Sequence, residues 1–209
     1  MKGIKNVIFD LGGVIVDLDI QASIQAFAKI MVRPVSTIEE AIEKLRPLMH
    51  AMDVGEMDSQ TFIGIMKSQC HPGVTDQEIV DAFNQIIRLP YHRLEFLIEL
   101  RKHCRVFLFS NIGDIHWMET LRKSEELNVD FTSCFDETFL SYKMKLAKPD
   151  IRIYQKLIES TGIIPGETLY IDDLPDNIKA GQEMGLIAKI VPTNGLDDEL
   201  TKLFPEILL

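Results

Sequence analysis

One aspartate stands where a strand-like run ends and a pair of glycines follows. In the stretch "NVIFDLGGVIVD", Asp10 comes directly after three residues that favour buried strands, and Gly12 and Gly13 come next. A buried carboxylate is costly unless a hydrogen bond or an opposite charge compensates it. Asp10 is therefore either a turn-forming residue or a group that does chemistry, and the rest of the chain decides between the two.

Polar side chains follow two further strand-like runs. The run "CRVFLFSN" ends in Ser110 and Asn111, and the run "TLYIDD" ends in Asp172 and Asp173. Parallel strands of an open α/β sheet end at one edge, and ligands bind outside that edge. We therefore expect these groups to lie close to Asp10.

Three carboxylates at one sheet edge require a cation. Two carboxylates about 4 Å apart repel by about 4 kcal/mol at an effective dielectric near 20. Mg²⁺ prefers oxygen ligands and completes its coordination with waters and a substrate phosphate. Lys148 in "AKPDIRIY" adds a positive charge for a phosphoryl group. The residue types thus predict a magnesium site in which Asp10 is both a metal ligand and a candidate nucleophile.

The strand-like runs alternate with helical stretches. Five runs are largely continuous in apolar residues, which is typical of parallel strands covered on both faces: "KNVIFD", "CRVFLFSN", "SCFDETFL", "TLYIDD" and "LIAKIVP". Helical patterns such as "RLEFLIELRKH" and "IRIYQKLIEST" lie between them. The alternation predicts an α/β fold with a Rossmann-like, doubly wound parallel sheet.

A stretch of helical pieces interrupts this alternation after the first strand. From Leu18 to Leu89 no strand is expected, which predicts an all-helical cap at 17–89 inserted into a core formed by 1–16 and 90–209. Ser36 and Thr75 are expected to begin helices. Helix stops are expected at four prolines: Pro34, Pro47, Pro72 and Pro90.

The overall composition narrows the class of protein. With 22 basic and 32 acidic residues the 209-residue chain carries a net charge of −10, which argues against nucleic acid or an anionic membrane as partner. No apolar run approaches the roughly 20 residues of a membrane helix, and the first residues read as a strand rather than a signal peptide. Three scattered cysteines, Cys70, Cys104 and Cys134, favour a reducing, cytoplasmic setting.

Four segments in chain order resemble the motifs of the haloacid dehalogenase-like hydrolase superfamily. They are "FDLGGVIVD", "LFSN", "KPDIRIY" and "YIDDLPDNI". The helical insert resembles the helical (C1) cap of that superfamily. The sequence is most similar to its bacterial sugar-1-phosphate phosphatase branch, which also has a glycine where a second aspartate is usual.

The resemblance implies a magnesium-dependent phosphatase that acts on a small phosphorylated metabolite, a sugar phosphate being one candidate. It implies an aspartyl-phosphate intermediate on Asp10. The other implied roles are metal ligation by the Gly12 carbonyl and Asp173, a water-mediated metal contact by Asp172, phosphate binding by Ser110, Asn111 and Lys148, and support of the acidic loop by Asn177.

Gly12 is where the sequence departs from most superfamily phosphatases. The residue at this position usually acts as general acid and base, so activity towards poor leaving groups is in question. His50 or His71 of the insert is a candidate replacement. The departure also leaves open a regulatory, phosphate-binding protein of low turnover.

Two other activities of the same superfamily are weaker alternatives. A 2-haloacid dehalogenase needs no metal, so the acidic positions argue against it. A phosphonate hydrolase would use a cap lysine, for which the candidates are Lys29, Lys44 and Lys67. Oligomeric state is not predicted.

Overall fold

The centre of the structure, a computed structural model that describes residues 3–35 and 37–205, is a parallel sheet. The strands along the chain are β1 (Asn6–Phe9), β2 (Asp17–Leu18), β3 (Ile87–Arg88), β4 (Arg105–Ser110), β5 (Glu137–Leu140), β6 (Thr168–Asp172) and β7 (Ile187–Ile190). Five of them form the sheet in the order β5-β4-β1-β6-β7, and all neighbours are parallel. These five are the runs that the sequence predicts, so the predicted α/β class with a parallel sheet is confirmed.

Helices connect the strands. They are α1 (Ile20–Ala28), α2 (Ile38–Asp53), α3 (Ser59–Lys67), α4 (Asp76–Asn84), α5 (Tyr91–Leu100), α6 (Asp114–Glu126), α7 (Ser141–Met144), α8 (Ile151–Thr161), α9 (Pro175–Glu183) and α10 (Leu196–Leu203). Thr75 caps α4 as predicted, and its side chain and that of Glu78 form a capping box. Thr37 caps α2, while Ser36 lies outside the described residues.

Alternate residues of β1 face the two helical layers. Val7 and Phe9 lie in one apolar cluster with residues of α5 and α10, while Ile8 lies in a second cluster with residues of α8 and α9. All four residues of the strand are buried. Burial on both faces explains why this strand reads as a continuous apolar run. Because β1 is the central strand of the sheet, the residue that follows it, Asp10, lies at the middle of the sheet's carboxyl edge.

Helices α1 to α4 have an apolar cluster of their own. Its buried members include Phe27, Met31, Met52 and Phe62, with Met49 packed partly against them. Ile115 from α6 joins this cluster, so the insert is in contact with the sheet domain. The division of the chain into a core and a cap at residues 17 and 89 stays a prediction.

The insert begins and ends in a short antiparallel ribbon, which the sequence analysis did not predict. Asp17 pairs with Arg88, and Leu18 pairs with Ile87. Two residues on each side are too few to give an alternating pattern. The expectation of no strand in this part of the chain was therefore wrong.

Pro47 does not end a helix, contrary to the prediction. It lies inside α2, six residues before the last helical residue. A proline within a helix removes one backbone hydrogen bond and crowds the preceding turn, at a cost of about 3 kcal/mol or more. Pro47 is exposed, so water can reach the carbonyl that lacks a partner. The same helix packs Met52 into the apolar cluster of the insert, with Leu48 and Met49 against it.

A buried arginine holds the entry to the insert. Arg93 on α5 is 1% exposed and donates hydrogen bonds to the carbonyls of Val14 and Ile15. Its guanidinium also forms ion pairs with Asp17 at 2.7 Å and with Asp197 at 2.9 Å. These bonds fix the segment between the glycine pair and the ribbon, which positions the loop after Asp10.

Candidate active site

Three adjacent strands bring the predicted polar residues to one edge of the sheet. β4 and β6 are the two neighbours of β1, with Phe9 paired to Leu108 on one side and to Ile171 on the other. The residue after Phe9 and the last residues of β4 and β6 therefore lie side by side. These residues are Asp10, Ser110 and Asp172, and all three are buried.

Lys148 links the ends of all three strands through its ammonium group. The Nζ atom donates to Oδ1 of Asp10 at 2.9 Å, to Oδ2 of Asp172 at 2.7 Å and to the carbonyl of Phe109 at 2.8 Å. An ammonium group has three N–H donors, so these contacts use all of them. A phosphate oxygen would have to replace one of these acceptors, and phosphate binding by Lys148 stays a prediction.

Asp172 is held by more donors than any other group of the site. Besides Lys148, it accepts hydrogen bonds from the hydroxyl of Tyr170 at 2.5 Å and the amide N–H of Leu174 at 2.9 Å. The side-chain nitrogen of Asn177 also donates to both carboxylate oxygens. Asp172 therefore orients Lys148, and its predicted metal contact through water fits these occupied oxygens better than direct coordination would.

The site has more negative than positive charge. Burial raises the pKa of Asp10 to about 7, even though the nearby Lys148 opposes the shift. Burial also disfavours charge on Asp172, but the charge and hydrogen bond of Lys148 outweigh it and lower the pKa of Asp172. The single ammonium group thus outweighs the cost of burial for Asp172 but not for Asp10. A further cation would compensate the remainder.

The oxygen atoms of the site suit a divalent metal ion. One carboxylate oxygen each of Asp10, Asp172 and Asp173 lies within 4.8 Å of the others. Asp173 is only partly buried, and within the described ranges its one side-chain hydrogen-bond donor is the hydroxyl of Thr193 at 2.6 Å. The Gly12 carbonyl accepts no hydrogen bond from the described residues. An all-oxygen set with free lone pairs and excess negative charge is what Mg²⁺ binds.

Ser110 and Asn111 differ in how free their donors are. The Ser110 hydroxyl makes a single long contact of 3.4 Å, to the carbonyl of Asn111. The side chain of Asn111 is occupied by Lys148, with its amide donating to the Lys148 carbonyl at 2.8 Å and its oxygen accepting from the Lys148 N–H at 2.8 Å. Asn111 therefore positions Lys148 with its side chain. Its main-chain N–H has no partner in the part of the chain that is described and remains available to phosphate.

The two glycines of the opening motif have different structural roles. Gly13 has a φ of +76°, and a Cβ atom there would lie 2.5 Å from Oδ2 of Asp173. Gly12 has no such backbone, and its Cβ would lie in ordinary contact with Leu18 at 3.5 Å. The fold therefore requires a glycine at position 13 and not at position 12.

This difference predicts opposite outcomes for two alanine variants. Gly13→Ala should lower the free energy of unfolding by about 1–2 kcal/mol or more, since an L-residue is strained in this conformation and the methyl group meets Asp173. Gly12→Ala should leave the stability unchanged or raise it by up to about 1 kcal/mol. Urea unfolding of both variants measures the difference, and equal losses would contradict this assignment.

The imidazoles and lysines of the insert give no evident proton donor or Schiff-base former. His50 and His71 are exposed, and their side chains make no hydrogen bond to the described residues. Outside the insert, His116 on α6 stacks on Phe83 at 4.0 Å between ring centroids, and burial lowers its pKa to about 4. The three candidate lysines of a phosphonate hydrolase are all exposed: Lys29, Lys44 and Lys67.

Sequence reasoning missed one carboxylate of the insert. Asp53 is the last residue of α2, and none of the four motifs that the sequence presents includes it. Burial, and secondly the charge of Asp10, raise the pKa of Asp53 to about 7. An acidic residue at the C-terminal end of a helix opposes the helix dipole, and that local cost was the signal available in the sequence.

The chain belongs to the haloacid dehalogenase-like hydrolase family, whose pattern it matches over residues 4–185. It is 31% identical to the D-ribitol-5-phosphate phosphatase of Bacteroides thetaiotaomicron over 206 residues, which cover 95% of this chain and 97% of that protein. The resemblance inferred from the four motifs is thereby confirmed, and the protein is a hydrolase.

Solved structures share the whole architecture. A HAD family enzyme of Bacteroides thetaiotaomicron in complex with magnesium superposes with a TM-score of 0.86 at 31% identity, covering 98% of this chain and 100% of that one. A wild-type HAD family enzyme of the same organism, in complex with magnesium and inorganic phosphate, gives a TM-score of 0.84 at 31% identity, covering 96% of this chain and 99% of that one.

Among the described residues, no helix is long and apolar enough to cross a membrane.

Proposed function

We propose that the protein is a magnesium-dependent phosphatase that hydrolyses the phosphate monoester of a small metabolite such as a sugar or sugar-alcohol phosphate. The observation that carries this proposal is the bridge from Lys148 to Asp10 and Asp172, with Asp173 beside them at the carboxyl edge of the sheet. A dehalogenase would need no such cluster of carboxylates. The similarity to a D-ribitol-5-phosphate phosphatase supports the substrate class.

Each residue of the site has a distinct role in the proposed reaction. Asp10 attacks phosphorus, the bond to the leaving oxygen breaks, and an aspartyl-phosphate forms that water then hydrolyses. Lys148 keeps the Asp10 carboxylate oriented, while the Ser110 hydroxyl and the Asn111 main-chain N–H donate to phosphoryl oxygens. In-line attack of this kind depends chiefly on positioning and electrostatic stabilisation.

The magnesium ion would be held by Asp10, Asp173 and the Gly12 carbonyl, with Asp172 linked through water. When bound, it supplies the positive charge that neutralises the carboxylates and the oxygens of the phosphoryl group. Lys148 alone leaves two of three negative charges at this edge uncompensated when all three carboxylates are ionised. A divalent ion matches that deficit.

The proposed setting is the cytoplasm, and the proposed partner is a small phosphorylated substrate. Cys70, Cys104 and Cys134 are all free thiols, in keeping with a reducing compartment. Burial raises the pKa of Cys104 and of Cys134 to about 11, so both thiols stay protonated and serve packing. The net charge of −10 argues against nucleic acid.

A screen of phosphate esters tests the proposed function. With Mg²⁺ present, we expect turnover of sugar and sugar-alcohol phosphates, loss of activity on chelation, and recovery when Mg²⁺ is restored. Asp173→Asn should weaken Mg²⁺ binding, measured by calorimetry, since it removes a charged ligand. Full activity in excess chelator would contradict the metal assignment. Tight phosphate binding without turnover of any ester would indicate the regulatory alternative.

A further inference from the structure

The side of the substrate that faces the insert follows from the geometry of the phosphate site. Asp10, Ser110 and Lys148 all belong to the sheet edge, so the phosphoryl group is held from the sheet side. In phosphoryl transfer the attacking and leaving oxygens lie roughly in line on opposite sides of phosphorus. Since Asp10 attacks from the sheet, the leaving oxygen points away from it, towards the insert.

Two contacts hold the end of α2 against the loops that carry the site. A Cβ atom placed on Gly113, three residues after Ser110, would lie 3.2 Å from the Cβ of Met52. The Nζ atom of Lys145, three residues before Lys148, donates to the carbonyl of Gly55 at 2.9 Å. Asp53 lies between these two anchored residues of the insert, so its backbone is fixed beside the site.

The Asp53 carboxylate has no structural task that explains its position. It makes no hydrogen bond and no ion pair with any residue in 3–35 or 37–205, although it is half-buried. It also ends a helix, where a negative charge is unfavourable. The other acidic residues near this turn differ: Glu56 is exposed, and Asp58 caps α3 by accepting from Thr61 at 2.7 Å.

We propose that Asp53 is the general acid and base of the reaction, supplied by the insert in place of the aspartate that Gly12 lacks. When Asp10 attacks phosphorus, the protonated Asp53 gives its proton to the leaving oxygen, which departs as an alcohol. The Asp53 carboxylate then takes a proton from the water that attacks the aspartyl-phosphate. Phosphate and free Asp10 result, and Asp53 is protonated again.

The acidity of Asp53 fits this role. Its pKa of about 7 lets both the acid and the base form exist near neutrality. Burial is the larger cause of that value, and it belongs to the position of Asp53 between α2 and the loops of the sheet edge. A proton donor works best when its pKa lies near the operating pH.

The test compares two esters in the full-length protein, and it rests on the proposed phosphatase function. One ester has a p-nitrophenolate leaving group, which departs without protonation, and the other is a sugar-alcohol phosphate. Asp53→Asn should lower kcat for the sugar-alcohol ester by about 10²- to 10⁴-fold and affect the aryl ester far less. Glu56→Gln, an exposed carboxylate of the same turn, is the matched control and should leave both rates unchanged.

A second variant and a binding measurement separate proton transfer from other roles. Because position 12 has room for a side chain, Gly12→Asp combined with Asp53→Asn should restore part of the lost rate on the sugar-alcohol ester only. Calorimetry should show the same Mg²⁺ affinity for Asp53→Asn as for the parent. A weaker Mg²⁺ affinity, or equal losses on both esters, would overturn the proposal.

The outcomes also distinguish this inference from the proposed function. If the parent hydrolyses both esters and Asp53→Asn behaves like Glu56→Gln, only the role of Asp53 is wrong. If the parent hydrolyses neither ester with Mg²⁺ present, the phosphatase function is wrong and the role of Asp53 falls with it.

Discussion

Replacing Asp10 with asparagine is expected to abolish turnover while the protein stays folded. The amide is close in shape to the carboxylate and can still accept a hydrogen bond from Lys148. In the parent protein the Nζ atom of Lys148 lies 2.9 Å from Oδ1 of Asp10. It cannot attack phosphorus, so kcat should fall by about 10⁴-fold or more, as when a nucleophile is removed from other enzymes. Steady-state kinetics on the best ester of the screen measures the loss.

Two further measurements decide whether Asp10 forms the covalent intermediate. Acid quenching during turnover should trap phosphate on the parent chain and not on Asp10→Asn. Fluoroberyllate, which imitates a phosphorylated aspartate, should raise the melting temperature of the parent alone. Asp198→Asn, an exposed aspartate on α10, is the matched control. Substantial activity in Asp10→Asn would mean that another residue is the nucleophile.

Replacing Lys148 with methionine is expected to lower both activity and stability. Lys148 is 4% exposed and is paired with two buried carboxylates, Asp10 and Asp172. Removing one partner of a buried ion pair typically costs about 3–5 kcal/mol, because the remaining charges stay buried without compensation. Urea unfolding should show a loss of that size, and the misplaced nucleophile should leave little activity.

A double variant separates the two effects of Lys148. Adding Asp172→Asn to Lys148→Met removes one of the unpaired charges, so stability should recover in part while activity should not. Added Mg²⁺ should also raise the stability of the single variant, because the ion compensates the same carboxylates. Loss of activity without loss of stability in Lys148→Met would contradict the view that this ammonium group holds the site together.

Much of the fold was predictable because its signals are local in sequence. The three central strands, β4, β1 and β6, are almost wholly buried, and each appears as a continuous apolar run bounded by polar residues. The edge strands β5 and β7 are partly exposed. The polar residues that follow these strands could also be predicted to lie together, since parallel strands end at the same edge of a sheet. The ribbon of β2 and β3 could not be predicted, because two residues in each strand are too few to show an alternating apolar pattern.

The unpredicted parts of the site depend on contacts between distant segments. Asp53 is placed beside the sheet edge by the contacts of its neighbours, since Met52 packs near Gly113 and Lys145 binds the carbonyl of Gly55. Nothing near Asp53 in the sequence specifies these contacts. The hydrogen bonds of the Asn111 side chain could not be predicted either, since its partner Lys148 is 37 positions away along the chain.

The ribbon of β2 and β3 makes the insert an exchangeable module. Because Leu18 is paired with Ile87, the chain leaves the sheet domain and returns to it at neighbouring points. Residues 19–86 could be replaced by a short hairpin turn, or by a lid of another shape, without altering the strand order of the sheet. The proposed nucleophile Asp10, Lys148 and the proposed metal ligands would all remain. Such a shortened protein would keep the residues that bind phosphate but lose Asp53. Exchanging the insert would therefore change the choice of substrate and the proton donor in one step.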